Sequence, residues 1–232
     1  MAGHGHRPGI ISRHSAADML GRHRHGEAYV AVVLAGSYLE AGDGGRIRAE
    51  AGTVIAHEGF TAHRDEFGRK GAVVLNLPAL SGVSGAGTAT DVDLLARAAE
   101  RDDVEASNIL REQFRPGAIA LDDWPDMLAV ALTQDPDQRL TDWADMIGLD
   151  PASVSRGFAR AYGVSPKRFR LEARVRRAVG ALESWEGSLA TVAAEYGFAD
   201  QAHFTRAVRD LTGSTPHHLR AKSVQSGASD RR

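Results

Sequence analysis

Two stretches of this chain are near-duplicates, and the repeat narrows what the C-terminal part can fold into. "GLDPASVSRGFARAYGVSPKRFR" begins at Gly148 and "GFADQAHFTRAVRDLTGSTPHHLR" at Gly197. Ala144 corresponds to Ala193, Gly148 to Gly197 and Leu149 to Phe198; one residue later in the second copy, Asp150 corresponds to Asp200, Val154 to Phe204, Arg156 to Arg206, Gly163 to Gly213 and Pro166 to Pro216. Each copy reads as a short helix with a small alanine, a turn glycine, an aspartate N-cap and a second helix ending at glycine. The aspartates can accept from the open N–H groups of the second helix, and Pro151 suits its first position. Small residues and a glycine turn let two helices cross closely, as in a helix-turn-helix. Val154 and Phe158 face inward in the first copy and Phe204 and Val208 in the second. Ser153, Ser155, Arg156 and Arg160, and then Gln201, His203, Thr205 and Arg206, are left outward. A repeat packed only against itself would not keep such groups, whereas Arg can bond guanine and Gln adenine in a major groove. Between the copies, "PKRFRLEARVRRAVGALESW" carries Lys167, Arg168, Arg170, Arg174, Arg176 and Arg177 near its start, which suits phosphates as well as solvent.

Upstream the period changes. From Ile10 to about Leu80, "AYVAVVLAGSY", "GTVIAH" and "GAVVLNLPAL" alternate with glycine-rich turns, the pattern of a small antiparallel β-barrel or sandwich. "SGVSGAGTAT" (81–90) reads as a flexible connection. Leu94, Leu95 and Ala98, then Ile109, Leu110 and Phe114, predict two short amphipathic helices. They are too small for a core of their own, so they are expected to pack on the barrel and help form a homodimer. A further helix is expected from near Asp122, and 141–219 reads as helical throughout. Strands first and helices after predict an α+β multidomain chain: a barrel over 10–80, a linker and helical connector over 81–136, and an all-α domain with two helix-turn-helix motifs over 137–222.

Composition decides what remains open. With 232 residues, 43% of them hydrophobic, the chain can fill two modest cores. The lack of cysteine excludes disulfides and thiolate metal sites and suits a reducing cytosol. No apolar run nears the ~20 residues of a membrane span. The opening "MAGHGHRPGI" lacks the apolar stretch of a signal peptide, so a cytoplasmic chain with no membrane partner is expected. The net charge of -2 divides unevenly: 137–223 holds 13 Lys/Arg against 10 Asp/Glu, and 1–136 holds 13 against 19. That points to an acidic partner for the C-terminal part. No nucleophile–base pair, phosphate loop or nucleotide fingerprint is present, so the chain is not expected to be an enzyme.

Segment 137–222 resembles the DNA-binding domain of the AraC/XylS family of bacterial transcription regulators. Gly197, Phe198, Phe204, Arg206, Gly213, Pro216 and Arg220 stand at the family's most characteristic C-terminal positions. The resemblance implies two recognition helices in successive major grooves of a double-stranded DNA operator, ~34 Å apart, with the long helix as spacer. It implies base contacts from Ala152, Ser155 and Arg156 and from Gln201, Ala202 and Arg206, with His203, Thr205 and backbone amides on phosphates. Ser153, Arg160, Lys167 and Arg168 join the expected DNA-binding set. A small-molecule effector and RNA polymerase are the further partners such a regulator implies. Two positions depart from the pattern: Val208 stands where Phe is usual, and Gly157 sits inside the first recognition helix, where it costs about 1 kcal/mol relative to Ala.

"GRHRHGEAYVAVVLAGSY" and "GTVIAHEGFTAHRDEFG" resemble the two motifs of a cupin barrel, the regulatory fold common in that family. His23, His25 and Glu27 alternate, so a strand would point all three one way. His63 falls at the second-motif histidine, with His57 nearby, and Tyr29 stands where the usual metal-binding glutamate would be. Imidazoles with one carboxylate suit Zn, Ni, Fe or Mn. The expected site is His23, His25 and His63, completed by Glu27 or His57; the alternative is a metal-free pocket lined by the same histidines. The rival for the whole chain is a metal-dependent cupin enzyme fused to a DNA-binding domain. His4 and His6 fall in a glycine-rich terminus expected to be disordered, and Trp124, Trp143 and Trp185 are expected to serve packing.

Overall fold

The computed structural model of the chain describes residues 10–117, 123–135, 138–182 and 184–221; His4, His6 and Asp122 lie outside them. The strands are β1 (Ile10–His14), β2 (Met19–Arg24), β3 (Tyr29–Gly42), β4 (Gly45–Glu50), β5 (Thr53–His57), β6 (Ala62–Pro78), β7 (Ala86–Thr88) and β8 (Arg115–Pro116). The helices are α1 (Val92–Ala99), α2 (Asp103–Gln113), α3 (Trp124–Gln134), α4 (Leu140–Met146), α5 (Pro151–Tyr162), α6 (Pro166–Ala181), α7 (Leu189–Glu195) and α8 (Gln201–Thr212). Two compact units result. One takes in Met1–Val130 with Gly157–Gly163, the other Ala131–Arg156 with Val164–Arg232.

The first unit is organised by its two longest strands. β3 and β6 pair antiparallel from Tyr29↔Pro78 to Ala41↔Arg64. The first half of β3 takes β5 on its other side and the second half takes β4. β6 likewise takes β2 on its first half and β1 on its second. The long pair therefore belongs to two half-sheets joined at a bend. Gly36 (φ +75) and Gly71 (φ +68) sit at that bend, and a Cβ on Gly36 would lie 2.1 Å from the Gly71 carbonyl oxygen. Only glycine can occupy such a left-handed, crowded corner.

Residues of both halves line one cavity, so the halves face each other as an open sandwich. The expected closed barrel is corrected here. The pairing path β1-β6-β3-β5-β7-β8, with β2 only on β6 and β4 only on β3, does not return on itself among the described residues. The bend sends the strands into two layers, and each layer ends at its own edges. The 81–90 segment is also corrected from a loose connection. Ala86–Thr88 pairs with Thr53–Ile55, and Val83 is buried in the core.

Alternation divides the sheet into two faces. Val30, Val32, Val54, Leu75 and Leu77 pack against Leu95, Ala98, Ala106, Leu110 and Phe114, so α1 and α2 cover the outer face as expected. Asp91 and Asp102 cap these helices by accepting from the Leu94 and Val104 amides. Leu110, from the segment expected to help form a dimer, is fully buried in the chain's own core. The inner face carries Tyr29, Ala31, Val33, Tyr38, Ile47, Ile55 and Phe67.

Candidate nucleic-acid interface and inner cavity

In the second repeat, α7 turns at Gly197 (φ +70) into α8, whose first turn is capped by Asp200 accepting from the His203 amide at 2.6 Å. Phe204, Val208 and Leu211 bury one face of α8 among Val175, Ala178, Leu182, Val192 and Ala193. On the helix's open side, Gln201, Ala202 and Arg206 are exposed and His203 and Thr205 half-buried. The first repeat follows the same plan. Asp150 accepts from the Ser153 amide at 2.9 Å, and Val154 and Phe158 are fully buried. Ala152, Ser153, Arg156 and Arg160 are exposed and Ser155 half-buried, with Arg156 Nη2 donating to Ser153 Oγ at 2.9 Å. Both second helices thus pair a buried apolar stripe with an open polar one, the form of a helix that enters a groove.

The long helix α6 begins with Ser165 accepting from the Arg168 amide and Pro166 in the first turn. Its cations divide by task. Arg168 Nε donates to the buried Glu172 carboxylate at 2.9 Å, and Arg174 Nη1 donates to the Gly197 carbonyl at 2.9 Å. These two hold α6 and the second turn in place. Lys167 and Arg177 are exposed. Gly157, the departure inside α5, has a steric reason: an added Cβ would stand 2.6 Å from two ring carbons of Trp124.

The inner cavity of the first unit is lined by Tyr29, Tyr38, Glu40, His57, His63, Asp65 and Asn76 among others. His57 Nε2 lies 3.6 Å from Glu40 Oε2, and His63 Nε2 lies 3.7 Å from Asp65 Oδ2. His57 stacks on Tyr29, ring centroids 4.5 Å apart. Burial, aggravated by the charges of Asp65 and Asp43, raises the Glu40 carboxyl well above its ordinary range. Burial pushes Asp65 up to about 7, with the charge of Arg64 acting against the rise.

The structure brings three of the expected metal-site residues together and moves the others. His23, His25 and His63 present ligand atoms within 4.8 Å of one another. Their rings sit 4.4 Å (His23–His63), 5.0 Å (His23–His25) and 5.3 Å (His25–His63) apart. Glu27 is not with them, because β2 ends at Arg24 and Glu27 is exposed in the turn before β3. Strand alternation does not reach it. His57 belongs instead to a second group with Glu40 and His63, all three buried. Glu40 was not picked out by the sequence motifs. The signal that could have drawn notice to it is an acid within the apolar run "SYLEAG".

Residues 143–222 match the Helix-turn-helix domain family. The chain is 32% identical over 82 residues to the HTH-type transcriptional regulator ExsA of Pseudomonas aeruginosa, covering 35% of this chain and 30% of that protein. It is 32% identical over 78 residues to the Arabinose operon regulatory protein of Escherichia coli, covering 34% and 27%. The chain thus spans under a third of the length of these relatives. Against a crystal structure of ToxT from Vibrio cholerae, the TM-score is 0.41 at 11% identity over 90% of this chain and 94% of that one, too low to carry weight. With two capped helix-turn-helix units and this match, residues 143–222 form a helix-turn-helix domain similar to those of these transcriptional regulators.

Proposed function

We propose that the chain is a sequence-specific DNA-binding transcriptional regulator rather than an enzyme. α5 and α8 read successive major grooves of a double-stranded operator. The observation that carries this reading is the doubled helix-turn-helix, in which each second helix buries its apolar stripe and leaves Arg156 or Arg206 exposed on its open side. Base edges are read by Ala152, Ser155, Arg156, Gln201, Ala202 and Arg206; phosphates are met by Ser153, Arg160, Lys167, His203 and Thr205. Arg168, tied to Glu172, has only part of its guanidinium left for this. No helix among the described residues is long and apolar enough to cross a membrane, and in this reading the protein works in the cytoplasm on DNA. Footprinting on operators selected from random duplexes tests it. Two protected major-groove patches one turn apart on one DNA face are expected, and failure to select any duplex would end the reading.

The first unit is read as the sensor. A small effector or a divalent metal in its cavity changes DNA affinity, two chains assemble on repeated half-sites, and RNA polymerase is the protein partner. The cavity's buried acids and imidazoles support this part, since an apolar core has no use for them. Mobility-shift titrations with and without added Zn or Ni test the coupling.

A further inference from the structure

We propose that Glu40, His57 and His63 hold one divalent transition-metal ion inside the first unit, a donor set different from the three histidines that the cupin-like motifs imply. This deepens the sensor reading by naming the cavity's ligand, and it stands on the cavity alone. The three donors come from separate strands, β3, β5 and β6, and their ligand atoms lie within 4.8 Å of one another.

The spacing argues for an ion between the groups rather than a bond across them. A charge-assisted hydrogen bond closes to ~2.7–2.9 Å. The His57–Glu40 separation of 3.6 Å is longer than that. It is close to the ~3.4 Å edge between two ligands of a tetrahedral ion with ~2.1 Å bonds. The charge argues the same way. Glu40 and Asp65 are 4% and 6% exposed, and among the described residues neither Lys nor Arg lines the cavity. Two buried carboxylates are costly; the charge of Arg64 offsets only part of this at Asp65, and a dication would offset the rest.

The surroundings fit an ion and little else. Asp65 Oδ1 is buried with no hydrogen-bond partner among the described residues, while Oδ2 lies 3.7 Å from His63 Nε2. A Cβ on Gly42 would stand 3.2 Å from Glu40 Oε1, so glycine leaves room for the carboxylate. The cavity volume is about 20 Å³. One water needs roughly 10–15 Å³, so the space suits an ion with one water and is too small for a sugar-sized molecule. His63 belongs to both groups, and the carboxylate decides between them. Glu27, the acid nearest in sequence to His23 and His25, is exposed, whereas Glu40 points into the cavity beside His57.

The test is Zn²⁺ and Co²⁺ binding to the untagged full chain, by equilibrium dialysis against a competing chelator and by the visible spectrum of bound Co²⁺. Glu40→Gln and His57→Ala should each lower affinity at least about tenfold and alter the Co²⁺ bands, while His23→Ala and His25→Ala stay within about threefold of wild type. Zn K-edge absorption of the wild type, which needs no variant to fold, should show two imidazoles with oxygen ligands. Three imidazoles, an undiminished affinity in Glu40→Gln, or less than stoichiometric metal in the wild type would overturn the proposal. Operator binding by the metal-free protein is measured separately, so loss of this site and loss of the DNA-binding reading are distinguishable.

Discussion

Arg206 and Lys167 are both exposed cations, and in the proposed DNA-binding reading they take different partners. A guanidinium on the open side of α8 can bond a guanine edge bidentately, while an ammonium at the start of α6 meets phosphate that is the same in every sequence. Arg206→Ala should cost ~1–3 kcal/mol of specific binding and relax preference at one base pair, and Lys167→Ala should weaken all duplexes alike. Unchanged affinity and preference for Arg206→Ala in a mobility-shift titration would remove α8 from the reading role. Asp126 carries a different kind of residue-level load. It accepts from Arg46 Nε and Nη2 at 3.0 Å each and from the Tyr162 hydroxyl at 2.6 Å. Burial raises its carboxyl, but these hydrogen bonds outweigh burial and hold it below the ordinary value of 3.8. A depressed folded pKa gives stability that is present above the unfolded value and lost as pH falls through the folded one. Asp126→Asn should therefore cost about 1–3 kcal/mol at pH 7. In urea titrations its deficit against wild type should shrink below about pH 4; a deficit that is the same at pH 3 and pH 7 would show that the charge is not what matters.

At the scale of elements, α5 and α6 each contain a glycine, and the two positions differ in kind. Helix propensity alone gives alanine an advantage of up to about 1 kcal/mol at both. At Gly157 the added methyl meets the Trp124 ring at 2.6 Å, whereas at Gly180 nothing lies within 4 Å. Gly180→Ala should stabilise the chain by roughly 0.5–1 kcal/mol and Gly157→Ala should destabilise it by roughly 1–3 kcal/mol. Equilibrium unfolding reads both, and a stabilised Gly157→Ala would mean that Trp124 does not rest on α5. The glycine that looked like a weakness in the first recognition helix is in this account a seat for an aromatic ring.

For the whole molecule, the expected unit of action is a pair of chains, because repeated half-sites are matched by symmetric assemblies. α2 is half committed to its own sheet. Leu110 is fully buried there, while Val104 on the same helix is 66% exposed. Val104 is therefore the apolar position of α2 open to a second copy. Light scattering at micromolar concentration should give about twice 24.8 kDa, and Val104→Glu should shift the mass toward one chain. A wild-type mass of one chain would remove the dimer. Leu110→Glu could not serve this test, since it would place a charge in the core of the first unit.

The local order of this protein was legible in its sequence because it rests on short-range rules. The aspartates at 150 and 200, the glycines at 148 and 197, and the apolar pairs Val154/Phe158 and Phe204/Val208 specify capped, crossing helices from residues at most a few positions apart. The Gly/Ser/Thr segment 81–90 escapes such rules: its strand exists only because Thr53–Ile55 lies beside it. Glu40 is the sharper case. Tyr29, Ala31 and Val33 point inward, so strict alternation sends residue 40 to the outer face. Register shifts between Val33 and Ala35 and between Gly36 and Tyr38 reverse the parity, and Tyr38 and Glu40 face inward instead. β6 reverses likewise around Gly71, with His63, Asp65 and Phe67 before it and Val74 and Asn76 after it on the same cavity. Periodicity counts along one strand and cannot see a bend that the partner strand imposes. The sequence alone therefore determined the repeated helices and the histidines at 23, 25 and 63, while the pairing of two bent strands decided that Glu40 shares a cavity with His57 and His63.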